Sequence, residues 1–278
     1  MDLAQALAIS LAGARIRPLA VRHDLGAITH LMLPQGIAPP APEAAHYLRT
    51  IAESARKLVR EALIEVGATG KPVDVFAAIE AVGTALVPAY EEHFAYQRRL
   101  DAGFEQALAA VECRKGCNFC CHLKVTATLR EVVRIAAAMA GGRLPDRRPA
   151  VLAAAAAVAG LSDRERLARK IPCPLLLDGA CSIYEARPLT CRALLSRSAS
   201  LCEQQFEAGA GSDEKLLVPS PLTPRLIAAS LINRQIAALR DLGLSGHLVE
   251  FVSALAALLR EPMLAVRWLS GEDVLVRA

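Results

Sequence analysis

Cys113-Arg114-Lys115-Gly116-Cys117-Asn118-Phe119-Cys120-Cys121 puts four thiols into nine residues. Further along, Cys173-Pro174-Leu175-Leu176-Leu177-Asp178-Gly179-Ala180-Cys181 and Ser182-Ile183-Tyr184-Glu185-Ala186-Arg187-Pro188-Leu189-Thr190-Cys191-Arg192 add three more, and Cys202 completes the eight in the 278-residue chain. A lone buried cysteine usually serves as a small hydrophobe, but core packing does not call for four sulfurs this close together. Spacings this short let one turn fold its thiolates around a single small centre. Proline and glycine shape the second stretch into a loop. The middle of the chain is therefore expected to be an irregular, cysteine-rich metal-binding region, with the core supplied by its flanks.

Those flanks read as helices, giving a mainly α fold. Much of the 54% hydrophobic content is alanine and only 4% of the chain is aromatic. That mixture favours helices over a β-sandwich. Thr128-Leu129-Arg130-Glu131 matches a capping box and opens a helix expected to end near Gly141-Gly142; Ser162 to Glu165 and Ser200 to Glu203 repeat the signal. Thr223-Pro224 suits an N-cap followed by proline, with a helix from Arg225 to about Leu242 and another from near His247 to Leu259. Leu33 to Pro42 reads as a proline-rich connector. The expected organisation is an amino-terminal segment and linker over 1–42, a helical region over 43–112, the cysteine region over 113–205 and a carboxy-terminal helical region over 206–278.

Composition narrows the functional classes. A formal charge of +4 with acids and bases interspersed gives no strong case for nucleic acid. The longest apolar stretch, Val151 to Leu161, is too short to span a bilayer. Asp2 stands where a secretory signal would be basic, so a cytoplasmic location is expected. A chain this long buries a core without cross-links, and in a reducing compartment clustered cysteines are better explained as metal ligands or redox groups than as disulfides.

The candidate metal ligands are Cys113, Cys117, Cys120, Cys121, Cys173, Cys181, Cys191 and Cys202. Zinc and iron–sulfur clusters both accept such a set, so the count does not separate them. Either centre needs at most four cysteines, so eight can build two sites or leave four thiols spare. Neighbouring side chains do not share one helix face. Cys120 is accordingly expected to join Cys113 and Cys117 with a fourth ligand from the later group, while Cys121 turns toward the remaining thiols. Arg187 and Arg192, in the same loop as three candidate ligands, are the expected residues offsetting thiolate charge. Tyr184 and His122 are read as neighbours of the site, not ligands.

At these positions the sequence resembles the YkgJ-like cysteine-cluster family, described as zinc- or iron-chelating and sometimes as containing an iron–sulfur cluster. The matching pieces are Cys113, Cys117, Cys120-Cys121, the helix start at Thr128 to Glu131, Cys173-Pro174-Leu175-Leu176, Cys181 to Pro188 and Cys191-Arg192. The resemblance covers about the middle third of the chain and implies chelation of a metal ion or cluster, without a defined reaction or protein partner. Cys113-x3-Cys117-x2-Cys120 also resembles the radical S-adenosylmethionine signature, but no strand–helix alternation accompanies it. A third reading is a zinc-stabilised interaction module.

Overall fold

The computed structural model describes residues 90–92, 94, 95, 98, 99, 102–209, 218–241, 244–269 and 271–275. The expected connector at 33–42 and the helices expected before residue 90 lie outside the described residues.

The described residues are mainly α. Helix α1 spans Ala102–Ala109, and a 3-10 turn at Phe119–His122 carries the paired cysteines. A short strand β1, Thr126–Thr128, runs straight into α2, Leu129–Ala140. The capping box forms here as the sequence predicts. Thr128 Oγ1 accepts the Glu131 N–H, and Glu131 Oε2 accepts the Thr128 N–H at 2.9 Å. Gly141 caps the other end. Helices α3, Arg148–Val158, and α4, Asp163–Ala168, follow, and α4 carries the second expected capping box at Ser162 and Glu165.

A hairpin of β2, Leu176–Leu177, and β3, Ala180–Cys181, turns at Asp178-Gly179. Both turn residues have positive φ, 49° and 77°, the backbone that a two-residue hairpin turn of the favoured hand needs. Next come a 3-10 turn at Tyr184–Ala186, helix α5 at Leu189–Ala193 and helix α6 at Ala199–Ala208. Helix α7, Leu222–Asp241, precedes β4, Leu248–Glu250, which leads directly into α8, Phe251–Arg260; α9 is Met263–Leu269.

The core is built around two strand–helix units. β1 and β4 pair antiparallel, with Ala127 opposite Val249, and each passes at once into a helix. α2 and α8 pack on one another, with α3 against α8 and α7 against α5. Leu129, Ile135, Leu231, Leu255 and Trp268 are fully buried between them. α2 is covered nearly all round; its run Leu129-Arg130-Glu131-Val132-Val133 includes two buried charged side chains, of which Glu131 bonds Thr128 and the Leu189 N–H.

Three boundaries differ from the sequence expectation. α6 is capped by Ser198, whose Oγ accepts the Leu201 N–H at 3.1 Å, not by Ser200. α7 opens at Leu222, so Thr223 and Pro224 lie inside its first turn; proline is tolerated there because first-turn N–H groups have no helical acceptor. The segment before Phe251 is a strand where a helix was expected, because Leu248 to Glu250 find their backbone partners on β1, where Leu248 pairs with Thr128, 120 residues away in sequence but opposite it in space. Among the described residues no helix is long and apolar enough to cross a membrane.

Candidate metal centre

Cys113 and Cys117 flank a tight loop in which the Cys117 N–H donates to the Arg114 carbonyl at 3.0 Å. Gly116 has φ of 95°, a conformation side chains rarely adopt, which makes the loop short enough to return the chain to Cys117. The 3-10 turn then presents Cys120 and Cys121, and the Cys121 N–H donates to the Asn118 carbonyl at 2.9 Å.

Cys202 reaches the same place from a helix 82 residues beyond Cys120. Glu112, beside the first thiol, accepts the Ala199 N–H at 2.6 Å, so its carboxylate sits on the amino-terminal end of α6. Ser196 ties the segments again, accepting the Glu112 N–H on its carbonyl at 3.0 Å and donating its own N–H to Cys113 Sγ at 3.1 Å. Cys113, Cys117, Cys120 and Cys202 thereby line one cavity of about 170 Å³. Phe119, Leu195, Phe206 and Val218 supply apolar walls, and Arg225 is the cation among the lining residues.

The other four thiols do not line that cavity. The Cys173 N–H donates to the Cys121 carbonyl at 2.7 Å, and the β2–β3 hairpin brings Cys181 back opposite Leu176. Cys191 rides on α5, which is fixed by Thr190 Oγ1 donating to the Thr126 carbonyl at 2.7 Å. Asn118 Nδ2 donates to the Gly179 carbonyl at 3.3 Å and so pins the hairpin tip to the first cysteine loop.

Burial pushes the thiols of Cys113, Cys117, Cys181 and Cys191 above the ordinary cysteine value, and takes Cys173 up to about 11. Cys120 runs the other way: the Cys121 thiol donates to its sulfur and the Arg187 guanidinium favours its thiolate, while Cys121 is held protonated by that same bond. Among the described residues no three cysteine, histidine or carboxylate side chains stand closed as for a bound ion. As a donor set, eight half-buried free thiols suit a thiophilic metal, whose binding displaces the thiol protons and draws the ligands in.

Residues 112–208 match the model of a family described as "Putative zinc- or iron-chelating domain". That match spans about a third of the chain. The match takes in all eight cysteines. It supports metal binding by this part of the chain, with zinc and iron as the metals. The first gap holds Arg114, Lys115 and Gly116, one residue more than the family's name, CxxCxxCC, spells. No curated protein and no solved structure matches the chain.

Within the matched residues the two arginines have different surroundings. Arg187 stacks on the Tyr184 ring, 3.5 Å from its centroid, donates to the Tyr184 carbonyl at 2.8 Å and acts electrostatically on both Cys120 and Cys181. Arg192 is buried and turns instead to the Glu185 carbonyl and to Glu91, 3.5 Å away. His122 packs on Phe206, ring centroids 4.5 Å apart, and does not line the cavity. Ser196, Glu112 and Phe206 were not singled out in the sequence. Phe206 had a signal, since it lies four residues after Cys202 and shares its helix face; Ser196 and Glu112 act through folding alone.

Proposed function

We propose that the cysteine region holds an iron–sulfur cluster at Cys113, Cys117, Cys120 and Cys202. The observation that carries this reading is the cavity itself: thiols from two segments surround about 170 Å³ of largely apolar space. A structural zinc, bound by four thiolates at about 2.3 Å each, fills its own ligand shell and needs no such room. A multi-iron core uses it, and the apolar walls would shield such a core from water. When bound, a cluster supplies one-electron chemistry at a potential set by charge, hydrogen bonds to sulfur and solvent access.

The chain's own residues fit that task. Ser196 offers its N–H to Cys113 Sγ, a bond of the kind that tunes a cluster ligand, and Arg187 offsets negative charge at Cys120. Glu112 holds α6, and with it Cys202, against the first loop.

Anaerobic purification followed by iron, zinc and acid-labile sulfide analysis tests the proposal, with visible absorption as a second readout. Iron and sulfide in equal amounts with a broad visible band are expected. Zinc without sulfide would replace the cluster by a zinc site on the same ligands, and full metal retention in Cys117→Ser would remove the ligand assignment.

A further inference from the structure

A larger cavity, about 390 Å³ in volume, opens where the end of α3, the start of α4, the β4–α8 junction and Leu275 meet. No cysteine lines it. Its size falls among small-molecule sites. We propose that this cavity binds a small monocarboxylic acid, with the carboxylate on Arg166 and Lys124 and a short hydrocarbon body against the apolar lining.

Arg166 carries the argument. It lines the cavity although its side chain is only 5% exposed. A guanidinium presents five N–H donors in a planar fork. Among the described residues this one makes a single side-chain hydrogen bond, from Nη1 to Glu250 Oε1 at 2.9 Å, and its buried Nε has no partner. Donors left unmet on a buried cation are costly, and a carboxylate is the acceptor that best matches the fork. Glu250 does not fill that role alone, because its Oε2 already accepts the Ser253 N–H at 2.7 Å to cap α8.

Lys124 supplies a second cation on the lining. Its Nζ stands 3.7 Å from Asp163 Oδ1, beyond a normal hydrogen bond, so the ammonium also keeps donors to spare. The unspent groups around the cavity are therefore donors, which calls for a ligand rich in acceptors. Charge narrows the ligand further. Lys124 and Arg166 are balanced by Asp163 and Glu250, and this neutral frame tolerates one added negative charge better than two. A carboxylate is favoured over a phosphate dianion on that ground. Val158, Leu161, Val249, Ala254 and Leu275 supply the apolar lining, which suits a hydrocarbon body and not a bare ion.

Calorimetric titration of the full-length protein at low salt, where exposed charges are least screened, tests the proposal with four probes: hexanoate, acetate, hexanamide and inorganic phosphate. Saturable binding of one hexanoate per chain is expected, roughly tenfold or more tighter than any of the other three, since each lacks the charge, the body or the single negative charge with it. Arg166→Gln should abolish binding, but Arg166 also holds Glu250, so two variants at exposed positions carry the test. Ser253→Phe places bulk in the cavity and should abolish binding, and Lys124→Gln should weaken it about threefold. Absence of saturation by hexanoate, equal affinity for hexanamide or acetate, or wild-type affinity in both exposed variants overturns the inference. Phosphate binding as tight as hexanoate overturns the carboxylate. A wild-type chain that retains its metal and binds no hexanoate sinks this inference and leaves the proposed function standing.

Discussion

Glu131 Oε1 accepts the main-chain N–H of Leu189 at 2.9 Å while its Oε2 caps the start of α2. One buried carboxylate therefore fixes both the central helix and the short helix that carries Cys191. Replacing it with alanine removes a cap and strands two buried N–H groups. Glu131→Ala is expected to lower stability by about 2–4 kcal/mol. Urea unfolding checks this, and a change within a few tenths of a kcal/mol would show that α5 is held by other means.

Glu250 gives the fold an acid-sensitive contact. Burial alone would raise its carboxyl, but hydrogen bonds from Ser253 and Arg166, the latter at 2.9 Å, outweigh burial and hold it below the usual carboxylate range. A depressed carboxyl contributes stability above its unfolded value, near about 4.3, and that contribution disappears as pH falls through the folded value. Glu250→Gln should therefore be less stable than wild type at pH 7, by about 1–3 kcal/mol, with the gap closing on acidification below the unfolded value. Denaturant midpoints at neutral and acidic pH test the convergence. A gap independent of pH would assign the effect to packing.

Cys117→Ser and Cys120→Ser are both expected to strip metal from the cysteine site and to loosen the cysteine region while the carboxy-terminal helices stay folded. Trp268, the only tryptophan and fully buried, reports on that second part through its emission. Metal content should fall with Trp268 emission unchanged. A red shift on metal loss would mean that the site and the helical core unfold as one unit.

The two arginines separate in their effects. Arg187 faces the thiols and Arg192 faces Glu185 and Glu91. Arg187→Gln is expected to weaken metal retention by roughly 10-fold or more, the range seen for groups that orient or neutralise ligands. Arg192→Gln should leave chelator competition close to wild type and reduce stability instead. Equal loss of metal in both variants would restore to Arg192 the role the sequence suggested for it.

Glu112 tests how Cys202 is delivered. Its carboxylate meets the first N–H of α6 at 2.6 Å, and Glu112→Ala should cost about 1 kcal/mol of helix capping. Metal retention at the cysteine site should weaken with it, since α6 carries the fourth thiol. Retention equal to wild type in a chelator titration would leave Ser198 as the sufficient anchor.

The sequence by itself determined the features that depend on near neighbours. The capping boxes at Thr128 and Ser162 formed because each needs only a hydroxyl and a carboxylate three residues apart, and the dense thiols from Cys113 to Cys121 marked the chelating region because no packing demand explains them. Tertiary structure alone decided what depends on partners far along the chain. β4 is a strand because Leu248 to Glu250 meet the free edge of β1, and local periodicity carries no record of that edge. Cys202 stands with Cys113 and Cys117 because Glu112 and Ser196 dock α6 on the first loop, and Cys121 stands with Cys173 because a main-chain bond joins them. Which thiols share a site is a question of where segments meet in space, and cysteine spacing fixes only the thiols that one turn can gather.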